Sequence, residues 1–411
     1  MEPTADTETR TIDLLGPYNP DACEQCGRCL MECPVMGLPE REAKKEIREL
    51  AAGRAGKHVL RRCETCFACT VACPNGANPV SLFQQRFFGH HNKKPLQAWA
   101  SYFQPHEHNN FRTYVIERLP EDEKAILEKW NDLSPCEEFA YPGCNMCTIP
   151  SLTGASFMRD LNIRGALEWC CGEMYFRTGM FDQLRGCAER MNALLDRLGA
   201  KKMMVLCTAG FNIISNVLPK YGLDTDVEIT SYLPWLWEKL DSGGIEIKKP
   251  LNMSVTIQES CHSKLIGAEY TDLPRKILEK IGVRVKEMDH CRENAYCCGI
   301  GGGFPAKQNY NPLALGFAML RAVREAEKTR ADATATYCAG CLQMMSSGST
   351  VYPGAKPVYH IIELVQMAAG EKPARRAPAR GRQMLAGTMI NQAPKLLSTG
   401  KTPMPDVSVE I

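Results

Sequence analysis

The spacing of apolar and polar positions along the chain predicts helices near the N-terminus and alternating strands and helices further on. REAKKEIRELAAG places apolar residues at helical intervals and predicts a helix from about residue 40 to 52, ended by Gly53. In the second half the same order of elements comes twice. FDQLRGCAERMNALLDRLGA sets Leu184, Met191, Leu195 and Leu198 on one helical face and is followed by an apolar strand, MMVLC, that ends at Cys207. PLALGFAMLRAVREAEKTR does the same with Leu315, Met319, Ala322 and Val323, and is followed by ATATYC, ending at Cys338. These faces read as core. Strand, loop, helix and strand in alternation predict parallel α/β units, whose ligand crevices open at the carboxyl ends of the strands. After Gly370, Pro, Gly and Arg interrupt every stretch that could be helical, so an extended tail without a core is expected over 369–411.

Composition alters this picture at one point. The 411 residues are enough for two or three units, and 49 Lys and Arg against 47 Asp and Glu leave a net charge of +2, too even to suggest nucleic acid. Apolar runs fall short of the roughly 18 residues of a membrane span, and MEPTADTETR has neither a basic nor an apolar leader region, which leads to the expectation of a cytoplasmic protein. The anomaly is cysteine, at 21 residues. In a reducing compartment such a number points to metal rather than disulfides.

Two runs carry the first signal. CEQCGRCLMECP supplies Cys23, Cys26, Cys29 and Cys33, and CETCFACTVACP supplies Cys63, Cys66, Cys69 and Cys73. Each is C-x2-C-x2-C-x3-C-P, the bacterial ferredoxin spacing, in which three thiolates grip one cubane and the fourth reaches the other cluster. By that rule Cys23, Cys26, Cys29 and Cys73 hold one [4Fe–4S] cluster, and Cys63, Cys66, Cys69 and Cys33 hold the second. Structural zinc, the alternative for C-x2-C pairs, does not account for the doubled run with a proline after each.

The second signal is the pair Cys297-Cys298 in AYCCGIGGGFP. Adjacent thiolates are strained on a single tetrahedral ion but suit two irons of an opened, non-cubane cluster. Gly299, Gly301, Gly302 and Gly303 would let backbone approach the cluster, aim N–H groups at its sulfurs and leave room for a substrate sulfur. A similar pair, Cys170-Cys171, occurs in the first repeat. Cys187 and Cys291 read as small core residues.

The segments GC…CCGE…C and ESCH…YCCGIGGG…YCAGC resemble the paired cysteine-rich CCG domains of the heterodisulfide reductase family. With the ferredoxin-type runs in front, the architecture is similar to the D subunit of that family. It is related as well to subunits of sulfite-reduction-associated and cytochrome c3-linked membrane complexes and to the C subunit of anaerobic glycerol-3-phosphate dehydrogenase. The resemblance implies α/β CCG modules in pseudo-twofold repeat behind a small, mainly helical two-cluster ferredoxin-like domain. The division that follows is 1–19, an extension; 20–95, the ferredoxin-type domain; 96–137, a helical linker; 138–245, a first CCG module; 246–368, a second; and the tail.

It further implies that Cys261, Cys297, Cys298, Cys338 and Cys341 hold a non-cubane [4Fe–4S] cluster at which a disulfide or thiol reacts, with His262 as a proton source. In the first module Cys144, Cys170, Cys171 and Cys207 match, but Gly210 stands where the last cysteine belongs. A five-thiolate site cannot form there from those residues; Cys136 and Cys147 are alternative ligands, and a cluster in this module stays open. The expected function is that of an iron–sulfur subunit working on a disulfide or thiol, or else a pure electron-transfer subunit. Expected partners are a membrane cytochrome b-type or quinone-linked subunit or a flavoprotein, which would hold the chain at the cytoplasmic face of the inner membrane.

Overall fold

The computed structural model describes residues 15–407. Its N-terminal part is helical. Glu40–Ala51 and Pro79–His91 are the long helices, and Gly53, at φ 82°, takes the chain out of the first. Ile47, Leu50, Leu60, Phe83 and Phe87 close a small core around them. Buried Glu46 turns its carboxylate toward the spacer that leads to the second cysteine run, accepting from the backbone N–H groups of Lys57, His58 and Val59 at 2.7, 2.7 and 2.9 Å. Charge-assisted bonds from three N–H groups at the start of a helical turn make a strong cap, so Glu46 fixes the mount of the second cysteine loop.

Two parallel sheets follow. The first orders its strands Glu138–Tyr141, Lys202–Val205, Glu228–Ser231; the second orders Val283–Val285, Met253–Gln258, Ala333–Thr336, Val358–His360. The order of elements is therefore repeated, with one difference. Where the second sheet has its edge strand Val283–Val285, the first has a single parallel bridge between Ala140 and Ile163. Helices Phe181–Leu198 and Pro312–Lys328 bury the two apolar faces read from the sequence. No helix among the described residues is long and apolar enough to cross a membrane.

Two expectations are corrected. Segment 96–137 contains helices Phe111–Ile116 and Glu121–Trp130, but it is no linker: Tyr102, Phe103, Phe111 and Val115 sit in the same core as both sheets. The tail is not extended either. Ala377–Gln392 is a 16-residue helix packed on Ala339–Val351 and Phe111–Ile116, and Lys401–Thr402 pairs antiparallel with Leu96–Gln97. The residues that argued against a helix are its contact points. A Cβ at Gly381 would stand 2.7 Å from the Ser346 carbonyl, and one at Gly387 2.6 Å from the Tyr114 ring, so glycine is what lets the elements approach. Arg380 forms an ion pair with Glu123, both almost fully buried. Tertiary packing overrides poor local propensity here.

Candidate iron–sulfur and thiol site

The two N-terminal cysteine loops share one backbone. Gln25 and Gly27 have φ 54° and 79°, and the corresponding Thr65 and Phe67 have 45° and 66°. A short helical turn then carries the third cysteine of each run, in Arg28–Met31 and Ala68–Val71. Left-handed backbone at a phenylalanine costs roughly 1–2 kcal/mol, so the surroundings impose this loop rather than residue preference.

Charge neighbourhoods sort the eight thiols. Burial raises the Cys29 thiol, and Cys23, then Cys73, add to it most among its neighbours. Burial pushes Cys33 up to about 11, with Cys66 the thiol that adds to it, and Cys63 is raised by burial and then by Cys33 ahead of Cys66. Cys73 is thus a charged neighbour of Cys29, and Cys33 is one of Cys63.

In the second sheet Cys261 follows Met253–Gln258, Cys297 and Cys298 precede the turn Ile300–Gly303, Cys338 immediately precedes helix Ala339–Val351, and Cys341 is in its first turn. All five are buried and linked in a string: Cys261 to Cys297, Cys297 to Cys298, Cys298 to Cys341, Cys341 to Cys338. Hydrogen bonds from Cys261 and Cys298 pull the Cys297 thiol well below its ordinary value. Those from Cys207 and Cys341 do the same for Cys338.

The Gly301 N–H donates to Cys297 Sγ at 3.3 Å, as backbone aimed at sulfur should. The glycines leave no room for a substrate, however. A Cβ at Gly301 would meet the Glu64 carbonyl at 2.6 Å, and one at Gly302 the Ala318 Cβ at 2.7 Å; helix Pro312–Lys328 and the second cysteine loop fill that side.

The first module brings Cys170 Sγ within 3.3 Å of Cys144 Sγ, with Cys171 hydrogen-bonded to Cys170. Cys207 instead reaches across, 3.8 Å from Cys338 Sγ. Gly210 sits in the first turn of Thr208–Asn212, the place Cys341 holds in the other module. Cys147 is buried, its thiol donating to the Gly143 carbonyl at 3.6 Å, with Cys144 its first charged neighbour. Cys136 is part-exposed at the end of helix Phe181–Leu198, where its N–H donates to the Leu198 carbonyl. Cys187 is fully buried beside Gly172, and Cys291 is part-exposed, with Glu287 and Arg275 as its nearest charges.

His262 is fully buried. Its Nδ1 accepts from the Asn212 amide at 3.0 Å and its Nε2 donates to Glu173 Oε1 at 3.0 Å, while burial lowers its pKa. Both ring nitrogens are committed within the protein, so any proton it passes goes by way of Glu173. Glu173 also pairs with Arg177 at 2.5 Å, one helical turn on. Arg177 lies 3.9 Å from Cys297 Sγ and donates to the Thr65 carbonyl at 3.4 Å. Composition and motif gave no sign of this pair, although Glu173-x3-Arg177 directly after a CCG triplet is the i, i+4 spacing of an ion pair.

These groups meet at a cavity of about 50 Å³ walled by Cys261, Cys298, Cys338, Cys341, His262, Arg112 and Arg177, with Met384 from the C-terminal helix. A second, apolar cavity of about 70 Å³ shares Phe111, Ile300, Met344 and Met384 with it and runs between helices Pro312–Lys328 and Ala377–Gln392.

The arrangement fits clusters. Among the described residues no three Cys, His, Asp or Glu side chains close on a point that would hold one metal ion, and all 21 cysteines are free of disulfides. Thiolates spread over several irons need counter-charge. Arg112, 2 % exposed with its Nη1 unpartnered, and Lys264, 5 % exposed and donating only to carbonyls, are buried cations with no paired carboxylate among the described residues.

Comparison with known proteins agrees with this chemistry. Residues 17–74 match the 4Fe-4S dicluster domain family and residues 255–346 the cysteine-rich CCG domain family. The D subunit of dihydromethanophenazine:CoB–CoM heterodisulfide reductase from Methanosarcina barkeri is 26% identical over 89% of this chain and 98% of its own length. The B subunit of fumarate reductase (CoM/CoB) from Methanothermobacter marburgensis is 26% identical over 84% of this chain and 72% of its own. EtfAB:quinone oxidoreductase of Syntrophomonas wolfei is 22% identical over 69% of this chain and 48% of its own. The chain is accordingly an iron–sulfur protein like the D subunit of heterodisulfide reductase, in which a ferredoxin-type dicluster domain precedes a CCG cysteine-rich domain.

Proposed function

We propose that the chain is the thiol–disulfide subunit of a larger redox complex. Cys23, Cys26, Cys29 and Cys73 would hold one cubane, Cys63, Cys66, Cys69 and Cys33 the other, and Cys261, Cys297, Cys298, Cys338 and Cys341 a non-cubane [4Fe–4S] cluster. The last group, when bound, supplies one-electron chemistry at iron open to a sulfur ligand. A disulfide consumes two electrons and two protons to give two thiols, so electrons must arrive one at a time through the N-terminal thiolate sets. The observation that carries the reading is the cavity bounded by four of the five thiols, two of whose wall residues, Arg177 and His262, touch the loop that carries Cys66. Arg177 holds negative charge at Cys297, and Glu173 with His262 keeps a proton at the cavity wall. The two modules would be related by a pseudo-twofold repeat, supported by their repeated strand order. A membrane cytochrome b-type or quinone-linked subunit, or a flavoprotein, would supply electrons at the cytoplasmic face of the inner membrane.

Gly210, which leaves the first module one thiol short, favours a second reading: electron relay without thiol chemistry. Anaerobic preparations separate the two. Cys298→Ser should lose disulfide-linked turnover while the N-terminal clusters still take electrons from reduced viologen. Wild-type disulfide activity in that variant refutes the first reading. A wild-type protein whose EPR signals ignore added thiol while it relays electrons establishes the second.

A further inference from the structure

Residues 64–67 are gripped by three cations from the two sheet-bearing modules. Glu64 pairs with Arg321 at 2.6 Å, the Thr65 carbonyl accepts from Arg177 at 3.4 Å, and the Cys66 carbonyl accepts from Lys264 Nζ at 3.2 Å. The Phe67 ring lies against Arg177 and edge-on to His262. Of the three cations, Arg177 and Arg321 have carboxylate partners and, among the described residues, Lys264 has none. Its second bond goes to the Ala295 carbonyl at 2.8 Å, two residues before Cys297, and it stands three residues after Cys261.

Among the described residues no such clamp touches the loop at residues 24–27. Cys66, Phe67 and Ala68 belong to the core shared with both sheets, whereas Cys29 and Leu30 belong to the small N-terminal core.

We propose that Lys264 is the positioning residue for electron hand-over inside the chain. It ties the thiolate set of Cys63, Cys66, Cys69 and Cys33 to that of Cys261 and Cys297, and places an uncompensated positive charge between them. The set of Cys23, Cys26, Cys29 and Cys73 is then the outer station, where a one-electron donor from outside the chain delivers. In the hand-over itself one electron leaves the inner N-terminal set and one arrives at the five-thiolate set, with no bond or proton exchanged. A buried ammonium favours the reduced, more negative state of whatever those neighbouring thiolates hold.

This inference rests on the cluster assignment made above, not on the thiol chemistry, and the test keeps them apart. The full-length, cluster-loaded protein is compared with Lys264→Met, which removes the charge at similar length, and Lys264→Arg, which keeps it. Redox titration followed by EPR should show one of the two cubane signals harder to reduce in Lys264→Met by about tenfold in the equilibrium, some 59 mV for one electron, with the other signal unmoved. Stopped-flow mixing with reduced viologen should show the last-reduced centre filling about tenfold more slowly, and Lys264→Arg should restore both. If Lys264→Met does not load iron, Lys264→Gln, which still donates to a carbonyl, carries the same comparison. Unmoved potentials with an unchanged filling rate overturn the proposal, even if disulfide turnover stands. A shifted potential in a protein that ignores thiols supports it and sinks only the thiol reading.

Discussion

Replacing Arg177 by methionine isolates the electrostatics of the site. The side chain is 4 % exposed, its guanidinium facing the rings of Phe67 and Phe304, and methionine fills similar length without the charge. What is lost is the partner of Glu173, a carboxylate that burial pushes up and that Arg177 and His262 bring below its ordinary value. Removing one member of a buried pair costs about 3–5 kcal/mol because the other charge is stranded. For a chain of 411 residues the unfolding entropy is about 0.9 kcal/mol/K, so the melting midpoint should fall by roughly 3 to 6 °C. The deficit has a pH signature. Without Arg177 the Glu173 carboxyl rises above its unfolded value, so the penalty is full at pH 8 and shrinks as pH falls and the group takes up a proton. Glu173→Gln in the same chain should recover half or more of the loss, since it removes the stranded charge. Differential scanning fluorimetry under nitrogen at pH 8 and pH 6 reads all three. A deficit below about 1 kcal/mol, equal at both pH values and unrelieved in the double variant, refutes the assignment of a tight Glu173–Arg177 pair.

Glu46→Ala should strip three N–H groups of their acceptor and cost about 3 kcal/mol or more, read as a lower melting midpoint and loss of iron from the N-terminal domain. An unchanged midpoint would contradict its role as a cap. Gly210→Cys places its Cβ 3.3 Å from Val205 Cγ1 and 3.7 Å from Cys207 Cβ, close enough to need only a small shift. It should raise the iron content by roughly four atoms per chain if position 210 corresponds to Cys341, and a folded variant with unaltered iron would deny the correspondence. Burial holds His91 and His360 down to about 4. Their folded values lie below the unfolded one of about 6.5, so stability is intact above pH 6.5 and falls toward pH 4, by up to about 3 kcal/mol for each. Neither His91 nitrogen has a hydrogen-bond partner among the described residues, so His91→Leu should flatten the dependence of the melting midpoint on pH between 7.5 and 5.5, and an equally steep dependence would be the contrary result.

What could be read from the sequence was local. The N-terminal cysteine loops are set by spacings of a few residues, and the helices Phe181–Leu198 and Pro312–Lys328 announce their buried faces by period. The tail could not be read this way, because Gly381 and Gly387 weaken an isolated helix and stabilise a docked one. The difference is made by Ser346 and Tyr114, which lie far away in sequence. Arg112 and Lys264 were hidden for a similar reason. A single cation carries no motif, and its meaning comes from the missing carboxylate opposite it, which only the packed chain reveals.

The same reasoning bears on why the first module persists with Gly210 in place of a thiol. Its strand ends are built into the wall of the second. Cys207 Sγ stands 3.8 Å from Cys338 Sγ, and the hydroxyls of Thr208 and Tyr232 both donate to the carbonyl of Tyr337, the residue that precedes Cys338. Asn212, on the turn that holds Gly210, supplies the hydrogen bond that fixes the His262 ring for Glu173. Three groups of the first module thus set the position of Cys338, and a fourth sets the tautomer of His262. A glycine at position 210 leaves all four contacts intact, so the first module supports the second without a thiol there.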